Sequence, residues 1–282
     1  MPTLTQEQVE GAARVLPDHT LATSFLEPDA RARIIALILF SHEISRARAV
    51  VSEAGLAAIR LHWWRDTLDK IYAGNVVRAQ PIAVALAGAV QEANLPRVLL
   101  DAMIDGYEQE LEAAPFATWA DVEVYLDTTC GNLNRLSLLA SGVPAINTGA
   151  EIAARQAAVA WGFAHLVRVM PQWSQRRCLW LPTEACANLD RESVFAGHVS
   201  ADLRAILICV HARIRRARTA SNASLQKAKL GSHFPTLAHA SLAVRLAKAA
   251  TPQAGPTWQI APEVTLLERQ VRMTLSVARG RI

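Results

Sequence analysis

The stretch Trp161–Pro182, which reads WGFAHLVRVMPQWSQRRCLWLP, lies just past the middle of the 282-residue chain. Its apolar residues recur at helical spacing, and Thr148 with Glu151 upstream forms the capping-box pattern that opens a helix. The sequence therefore predicts a helix from Thr148 to Met170 that is ended by Pro171.

No acidic residue lies between Glu151 and Glu184. Carboxylates are the side chains through which proteins usually hold Mg²⁺ and Ca²⁺, so this helix offers no acidic site for such an ion. What the protein does depends on how this absence is interpreted.

The other long segments show the same helical periodicity, and no segment alternates as a strand does. Capping and proline signals place helix starts at Thr5 with Gln8, Pro28, Ser52, Pro81, Pro96, and Thr118 with Asp121, the last running unbroken to Gly142. Further helices are predicted over 200–229, 234–250 and 263–279. The sequence thus predicts one all-α domain of about ten helices over residues 1–282.

Composition and charge are those of an apolar globular protein with two unlike halves. Hydrophobic residues make up 51%, charged residues 19%, and the mean hydropathy is +0.16. Residues 1–150 contain 11 Lys+Arg and 18 Asp+Glu, a balance of −7, whereas residues 151–282 contain 18 and 7, a balance of +11. This asymmetry indicates either a basic face for phosphates, anionic lipid or an acidic partner, or two halves that lie against each other.

Cysteine usage and hydropathy bear on the compartment. The four cysteines form no CxxC motif, and the sequence begins without a secretory apolar region, so we expect free thiols and a cytoplasmic protein. The longest apolar run, Ile34–Phe40, is far too short to span a bilayer. An integral membrane protein is excluded, while peripheral association with the inner membrane stays open.

The last predicted helix, within residues 263–282, could make such a contact. Val264, Leu267, Val271 and Leu275 recur at helical spacing, with arginines around them. A helix of this kind can lie on an anionic bilayer. The alternative is an ordinary terminal helix docked on the core.

Several common chemistries are excluded by their missing motifs. The chain has no P-loop, GxGxxG, HExxH or GxSxG pattern, and its scattered histidines and cysteines do not predict a zinc site. The basic cluster within 213–218 lacks the interleaved aromatic residues of a stacking platform. We therefore expect no nucleic-acid partner.

Asp101 and Asp105 are the candidate metal ligands in the first half of the chain. Their i,i+4 spacing places both carboxylates on one helix face, as chelation of magnesium and diphosphate requires. Glu108, Glu110 and Glu112 follow directly. This acidic run favours the solvated side of an amphipathic helix over a metal site.

The stretch IRLHWWRDTLDKIYAG points to a cleft or to the core. Neighbours on a helix are about 100° apart, so Trp63 and Trp64 cannot share one face. Arg60 and Arg65 flank the pair. One interpretation is an apolar cleft with guanidinium groups at its mouth; the other is core packing with surface arginines.

Four stretches in register carry a family resemblance: FSHEISRARAVVSE (40–53), RLHWWRDTLDKIYAGN (60–75), YLDTTCGNLNRLSLLASG (125–142) and the opening stretch that ends RRCLWLP. With them the chain resembles the squalene/phytoene synthase family of head-to-head prenyl synthases over nearly its full length. It looks closest to the branch of the phytoene-synthase-like mitochondrial complex I assembly factor. The resemblance implies an isoprenoid-synthase-type helical bundle around a central cavity.

The resemblance also implies two Asp-rich helices that face each other across the cavity and bind diphosphates through magnesium. The first motif falls within 40–53, where Glu43 and Glu53 are too far apart to share one ion. The second falls on four residues of which only the arginine fits the family pattern: His165, Arg168, Val169 and Trp173. Tyr125 matches an active-site tyrosine of the family and is the candidate catalytic residue.

Prenyl transfer must stabilise a departing diphosphate with multivalent cations, and Arg168 and Arg177 cannot replace them alone. We therefore expect a non-catalytic binding or assembly factor with no cofactor, an isoprenoid or lipid-like ligand and a protein client. One alternative is an active prenyltransferase that joins two prenyl diphosphates through Mg²⁺ on Glu43, Asp101 and Asp105. Another is a lipid-binding module without a client.

Cavity-facing carboxylates would favour the enzyme, whereas an apolar cavity with arginines at its mouth would favour binding. We expect a narrowed but real cavity in which Glu43 is the partner of one arginine. The predicted ligand-binding residues are Glu43, Arg60, Trp64, Arg65, His165, Arg168 and Arg177.

Overall fold

The computed structural model describes residues 5–47, 54–75, 80–112, 116–252, 257–258 and 264–282. The described residues form an all-α bundle, as predicted, and contain no strand beyond an isolated bridge between His198 and Thr257. The helices are α1 (Gln6–Val15), α2 (Pro17–Thr23), α3 (Pro28–Ser45), α4 (Ala54–Tyr72), α5 (Pro81–Ala93), α6 (Arg97–Gln109), α7 (Trp119–Leu126), α8 (Asn132–Ala140), α9 (Thr148–Gln175), α10 (Arg191–Phe195), α11 (Ala201–Ala228), α12 (Ala243–Ala250) and α13 (Leu266–Arg279).

Most helix starts lie where the sequence places them. Thr5 with Gln8 and Thr118 with Asp121 form the predicted capping boxes, and Pro28 opens α3. Such caps satisfy backbone N–H groups that have no partner within the helix. The predicted cap at Ser52 lies outside the described residues.

The central helix α9 differs from its prediction at both ends. Asn147, not Thr148, is its N-cap, and the Asn147 side chain accepts a hydrogen bond from the Ala150 N–H. The helix also continues past Pro171 to Gln175, so the predicted stop at Pro171 was wrong. A proline removes one backbone donor, but this last turn of the helix is retained.

Two further segments depart from regular α-helix. The helix predicted to run unbroken to Gly142 changes to a π-helical turn at Asp127–Gly131 before α8. The helix predicted over 234–250 is a 3₁₀ segment, Gly231–Leu242, followed by α12. π-Turns inside helices are frequent at functional sites, and this one lies on the wall of the cavity described below.

The core consists of two hydrophobic clusters. One is built mainly by α3–α6, and the other by α7, α9, α11 and the segment 231–250. Helix α8 joins them, because Leu133 and Leu136 belong to the first cluster and Leu138 to the second. The cavity that the resemblance implies lies between the two clusters.

Small residues let α9 pack closely on its neighbours. A Cβ atom on Gly149 would lie 2.9 Å from the backbone nitrogen of Ala228 in α11, and one on Gly162 would lie 2.5 Å from a methyl group of Leu126. The hydroxyl of Ser221 in α11 donates to the Ala153 carbonyl oxygen in α9 at 3.0 Å. Helix α9 is thus held in place along its length, and its side chains form one side of the site.

Candidate functional site

A central cavity of about 240 Å³ lies between the two core clusters. The predicted cavity is therefore present. Its lining is aromatic and apolar with several polar groups: Leu16, His19, Ser41, Ser45, Tyr107, Glu110, Tyr125, Leu126, Cys130, Leu133, Trp161, Gly162, His165, Leu166, Val169, Gln172, Trp173 and Arg176.

Helices α3 and α9 face each other across this cavity, as the two Asp-rich helices of the family do. From α3 the side chains of Ser41 and Ser45 line it, at the i,i+4 spacing that a carboxylate pair would need. From α9 the cavity is lined by His165, Val169 and Trp173. The facing walls at these positions carry hydroxyl, imidazole and apolar groups in place of carboxylates.

The candidate catalytic residue Tyr125 lies on the cavity wall. Its hydroxyl donates a short hydrogen bond to the carboxylate of Glu110, and both side chains are buried. Burial, and then the charge of Glu110, raises the pKa of Tyr125 well above its usual value. At neutral pH the residue is therefore a neutral hydrogen-bond donor already engaged by a carboxylate.

Cys130, in the π-helical turn, and Tyr107, in α6, complete the polar end of the cavity. Burial raises the pKa of the Cys130 thiol to about 11, and burial also raises the pKa of Tyr107 well above its usual value. The thiol stays protonated, and a protonated thiol is a poor nucleophile.

Three histidine rings surround Trp161. The rings of His19 and His239 lie 3.8 Å apart, His19 meets Trp161 edge-on at 4.5 Å, and His165 stacks on Trp161 at 5.0 Å. Burial lowers the pKa of His239 to about 3, and burial with the nearby Arg168 charge lowers that of His165 to about 4. Burial lowers the pKa of His19 as well.

All three histidines are consequently neutral at physiological pH. In the described part of the chain, neither ring nitrogen of His19 has a hydrogen-bond partner, although the ring lines the cavity. A neutral imidazole can donate or accept a hydrogen bond, so His19 is available to a bound polar group.

A second, polar cavity of about 380 Å³ adjoins the first. Its charged lining comprises Arg14 at the end of α1, Asp18 in α2, Arg168 in α9 and Arg269 in α13. Asp18 and Arg269 form a buried ion pair at 3.0 Å. Burial raises the pKa of Asp18, and the charges of Arg269 and Arg168 oppose that rise.

Among the predicted ligand-binding residues, only His165 and Arg168 line these two cavities. Glu43 forms an ion pair with Arg60 at 2.5 Å, but neither residue lines either cavity, so this pair is not the arginine partner that was predicted within the cavity. Trp64 is fully buried in the core against Phe40 at 5.1 Å. Core packing therefore holds for Trp64, whereas Trp63 is exposed.

Arg65, Asp101 and Asp105 belong to surface ion pairs. Arg65 binds Asp105 at 2.5 Å and Glu108 at 2.7 Å, and the hydrogen bond to Glu108 raises the pKa of the arginine. Asp101 pairs instead with Arg97 at 2.9 Å. The two aspartates therefore serve different arginines, in keeping with the solvated acidic face favoured by the sequence.

Arg177 lies on the surface, where it pairs with Glu192 at 2.5 Å and covers the ring of Phe195. The neighbouring Arg176 lines the central cavity in its place. The sequence therefore assigned the cavity arginine one residue too late. Helix α9 ends at Gln175, and the chain turns at Arg177, where φ is +56°, so that Arg177 lies on the surface.

The magnesium that the fold family implies does not fit this donor set. Among the described residues, the central cavity is lined by one carboxylate, Glu110, which already accepts the hydrogen bond of Tyr125. No group of three or more His, Cys, Asp or Glu suited to a metal occurs within the described ranges. Magnesium prefers several oxygen ligands in octahedral geometry, and serines with one engaged carboxylate do not provide them.

The sequence interpretation missed Asp18, His19 and Glu110. Glu110 had a usable signal. Residues two apart on a helix point about 200° apart, so Glu110, the C-cap of α6, cannot share a face with Glu108. If Glu108 is solvated, Glu110 must turn inward, as it does. Asp18 and His19 had no signal, because α2 was not predicted.

The helix predicted for the end of the chain is α13. Its buried face carries Arg269, Met273 and Ser276, which dock it on the core. Leu267, Val271 and Leu275 point outward. The docked helix is therefore the arrangement observed, and Val264, which was predicted on the membrane-facing stripe, is buried; contact of the exposed leucines and Val271 with a bilayer stays a prediction. None of the described helices combines the length and hydropathy needed to cross a bilayer.

The sequence model of one protein family, squalene/phytoene synthase, matches residues 13–270 of the chain. The chain belongs to the squalene/phytoene synthase family. The solved structures of this family agree with the bundle: a dehydrosqualene synthase superposes with a TM-score of 0.81, covering 97% of this chain and 96% of that one, at 13% identity. Squalene synthase HpnC from Alicyclobacillus acidocaldarius gives a TM-score of 0.66 over 97% and 94%, also at 13% identity. The predicted isoprenoid-synthase fold is confirmed.

Among curated proteins, this squalene/phytoene synthase family member is similar to NADH dehydrogenase (ubiquinone) complex I, assembly factor 6. The Bos taurus protein is 30% identical over 166 residues, which cover 59% of this chain and 49% of the relative. The Homo sapiens protein is 28% identical over 166 residues with the same coverage. The chain matches about half the length of these relatives. The resemblance to this branch, predicted from the sequence, is confirmed.

Proposed function

We propose that the protein is a non-catalytic member of its family that holds an isoprenoid or other lipid tail and acts as an assembly factor for a respiratory complex. The observation that carries this proposal is the composition of the two facing walls. Ser41 and Ser45 stand on α3, and Val169 and Trp173 on α9, where prenyl transfer needs carboxylates.

The chemistry of these walls supports binding over turnover. An allylic diphosphate ionises only where multivalent cations stabilise the leaving group. The central cavity instead offers aromatic and aliphatic surface with a few hydrogen-bonding groups, which is the usual make-up of a site for an apolar ligand. A lipid tail gains free energy by leaving water for such a site.

The assembly role is supported by the relatives, which are named as assembly factors of complex I. We propose a protein client of the same kind for this chain. The outward face of α13 supports a peripheral position on the inner membrane from the cytoplasmic side, because Leu267, Val271 and Leu275 are exposed beside the exposed Arg272 and Arg279.

The enzymatic alternative needs Glu43, Asp101 and Asp105 as metal ligands. Each of these carboxylates is engaged by an arginine, and none lines the central or the polar cavity. The geometry thus favours the binding function. A lipid-binding module without a client shares this site, and only an experiment on the respiratory complex separates the two.

A deletion of the gene in its source organism tests the proposal. We expect assembled complex I on native gels and NADH oxidation by membranes to fall, and the wild-type gene to restore both. Ser45→Phe, which fills the central cavity, should fail to restore them, whereas Arg177→Gln on the surface should succeed. A deletion that leaves complex I intact but removes a prenyl hydrocarbon would support the enzyme instead.

A further inference from the structure

The central and polar cavities share one wall but differ in charge. Leu16, Trp161, His165, Val169 and Gln172 line both. Among the described residues, the central cavity carries one carboxylate, Glu110, and one guanidinium group, Arg176, so this part of its lining has no net charge when the histidines are neutral.

The polar cavity has an excess of positive charge. Three guanidinium groups, those of Arg14, Arg168 and Arg269, face one carboxylate, Asp18. Asp18 is held by Arg269 in the buried ion pair, so it is not free to neutralise the other two arginines. Counted over the described residues, the lining therefore carries two uncompensated positive charges at neutral pH.

Arg168 is the central group of this cavity. Within the described ranges, no carboxylate lies within ion-pairing distance of Arg168, although its charge acts on both Asp18 and His165. In the described part of the chain, Arg14, at the rim, makes one hydrogen bond, from its Nε to the Glu10 carbonyl oxygen at 3.4 Å. A half-buried guanidinium group without an anionic partner is ready to bind phosphate or carboxylate.

We propose that the polar cavity is a metal-free site for the anionic head group of a single-chain amphiphile, whose tail lies in the central cavity. This inference rests on the proposed lipid-binding function and deepens it. Arg168 and Arg14 bind the phosphate or carboxylate directly. The head group thus lies between the α1–α2 corner and α9, and not between α3 and α9, where the family's two Asp-rich helices would place a diphosphate.

The shared wall supports this orientation. Trp161 and His165, whose rings stack, line both cavities, so an aliphatic chain that extends from the polar cavity into the central cavity lies against aromatic surface. The reverse orientation would place an anion beside the buried Glu110 carboxylate. Like charges in a buried site repel each other strongly, and this orientation is disfavoured.

Calorimetric titration of the full chain with n-decyl phosphate, decanoate and decanol, in EDTA and below micelle-forming concentrations, tests the proposal. We expect decyl phosphate to bind more tightly than decanol without added metal. Arg168→Gln should weaken decyl phosphate binding about tenfold or more, since a charge-assisted contact is lost. Decanol binding should stay unchanged. The decanoate titration shows whether a carboxylate head serves as well as a phosphate.

Arg177→Gln is the matched control, because it removes an arginine near the end of the same helix that lies outside both cavities. Thermal melts verify that the variants are folded, and Arg14→Gln is the second variant if Arg168→Gln unfolds. Three results would each overturn the head-group site. They are equal affinity for decyl phosphate and decanol, decyl phosphate binding that neither Arg168→Gln nor Arg14→Gln weakens, and binding that requires Mg²⁺. If decanol binds in that case, lipid binding stands; if none of the three probes binds, both proposals fall.

Discussion

The hydroxyl group of Tyr125 donates a hydrogen bond to the carboxylate of Glu110, and both residues are buried at the wall of the central cavity. A buried carboxylate is costly unless donors surround it. Tyr125 therefore stabilises Glu110 in the folded protein whether or not a ligand is bound.

Tyr125→Phe should destabilise the protein by about 1–3 kcal/mol, because the buried Glu110 carboxylate loses a donor that solvent cannot replace. Urea unfolding measures the change. Tyr72→Phe is the control: its hydroxyl donates to the Leu95 carbonyl oxygen at 2.7 Å in a half-buried position, and its loss should cost about 0.5–1.5 kcal/mol. If both substitutions lower the free energy of unfolding equally, the hydrogen bond to Glu110 contributes no more to stability than an ordinary one.

Purified protein with magnesium and farnesyl or geranylgeranyl diphosphate should release no presqualene diphosphate, squalene or phytoene. The facing walls lack the carboxylates that would hold the cations. Val169→Asp with Trp173→Asp should not restore turnover, because Ser41 and Ser45 still face them from α3. Product extraction and mass spectrometry, with an active squalene synthase run alongside, would expose any activity, and a single prenyl coupling product would contradict the prediction.

Acid should destabilise the protein through its buried histidines. Their folded-state pKa values lie below the unfolded value of 6.5, at about 3 for His239 and about 4 for His165. A lowered folded pKa means that the unfolded chain binds more protons, so the stabilisation is complete above pH 6.5 and is lost as the pH falls below it. Each such group contributes up to about 1.4 kcal/mol per pH unit.

His239→Phe keeps the stack on His19 but removes one titrating group. Urea unfolding at pH values between 7 and 4.5 should then show a shallower loss of stability than in the wild type. His62→Asn, on the exposed side of α4, should leave the slope unchanged. If the free energy of unfolding falls with pH as steeply in His239→Phe as in the wild type, the pKa of His239 is not lowered in the folded state.

Gly149→Ala should destabilise the protein by about 1–3 kcal/mol, because the new Cβ would meet the Ala228 backbone, which cannot move aside as a side chain can. Gly55→Ala in α4 is the opposite case, with nothing within 4 Å of the added atom. It should stabilise the helix by up to about 1 kcal/mol. Thermal melts that show the two substitutions to be equivalent would refute the close packing of α9 on α11.

The protein should co-sediment with anionic liposomes, and this binding should weaken as the salt concentration rises. The triple change Leu267→Gln, Val271→Gln and Leu275→Gln should reduce binding about tenfold or more while leaving the melting temperature unchanged, because these side chains are exposed. Ile208→Gln, another exposed apolar position, is the control. Point changes are preferable to removing 263–282, since Arg269 and Met273 also anchor α13. Absent or salt-independent binding would exclude the membrane contact.

The fold was predictable from the sequence because helix starts are encoded locally. Capping boxes at Thr5 and Thr118 and a proline at Pro28 act through hydrogen bonds and dihedral angles within a few residues. The stop at Pro171 failed because tertiary packing of α9 outweighs the loss of one backbone hydrogen bond.

The site was only partly predictable, because it depends on which residues meet across the bundle. His165 and Arg168 were found through the family resemblance, and both line the polar cavity. Arg60 and Arg65 were assigned to the same site, but each pairs with a carboxylate outside both cavities, Arg60 with Glu43 and Arg65 with Asp105. Ser41 and Ser45 were not predicted, because the sequence interpretation considered only carboxylates on that helix.

The ion pair of Asp18 and Arg269 joins residues 251 positions apart in the chain. During synthesis, the amino-terminal helices emerge long before Arg269 does, and domains generally form only when their parts are available. Until then Asp18 is a carboxylate with no partner from α13, and the polar cavity lacks one of its walls. A ribosome-bound chain can therefore build much of the bundle before Arg269 has been made, but it completes this cavity only afterwards.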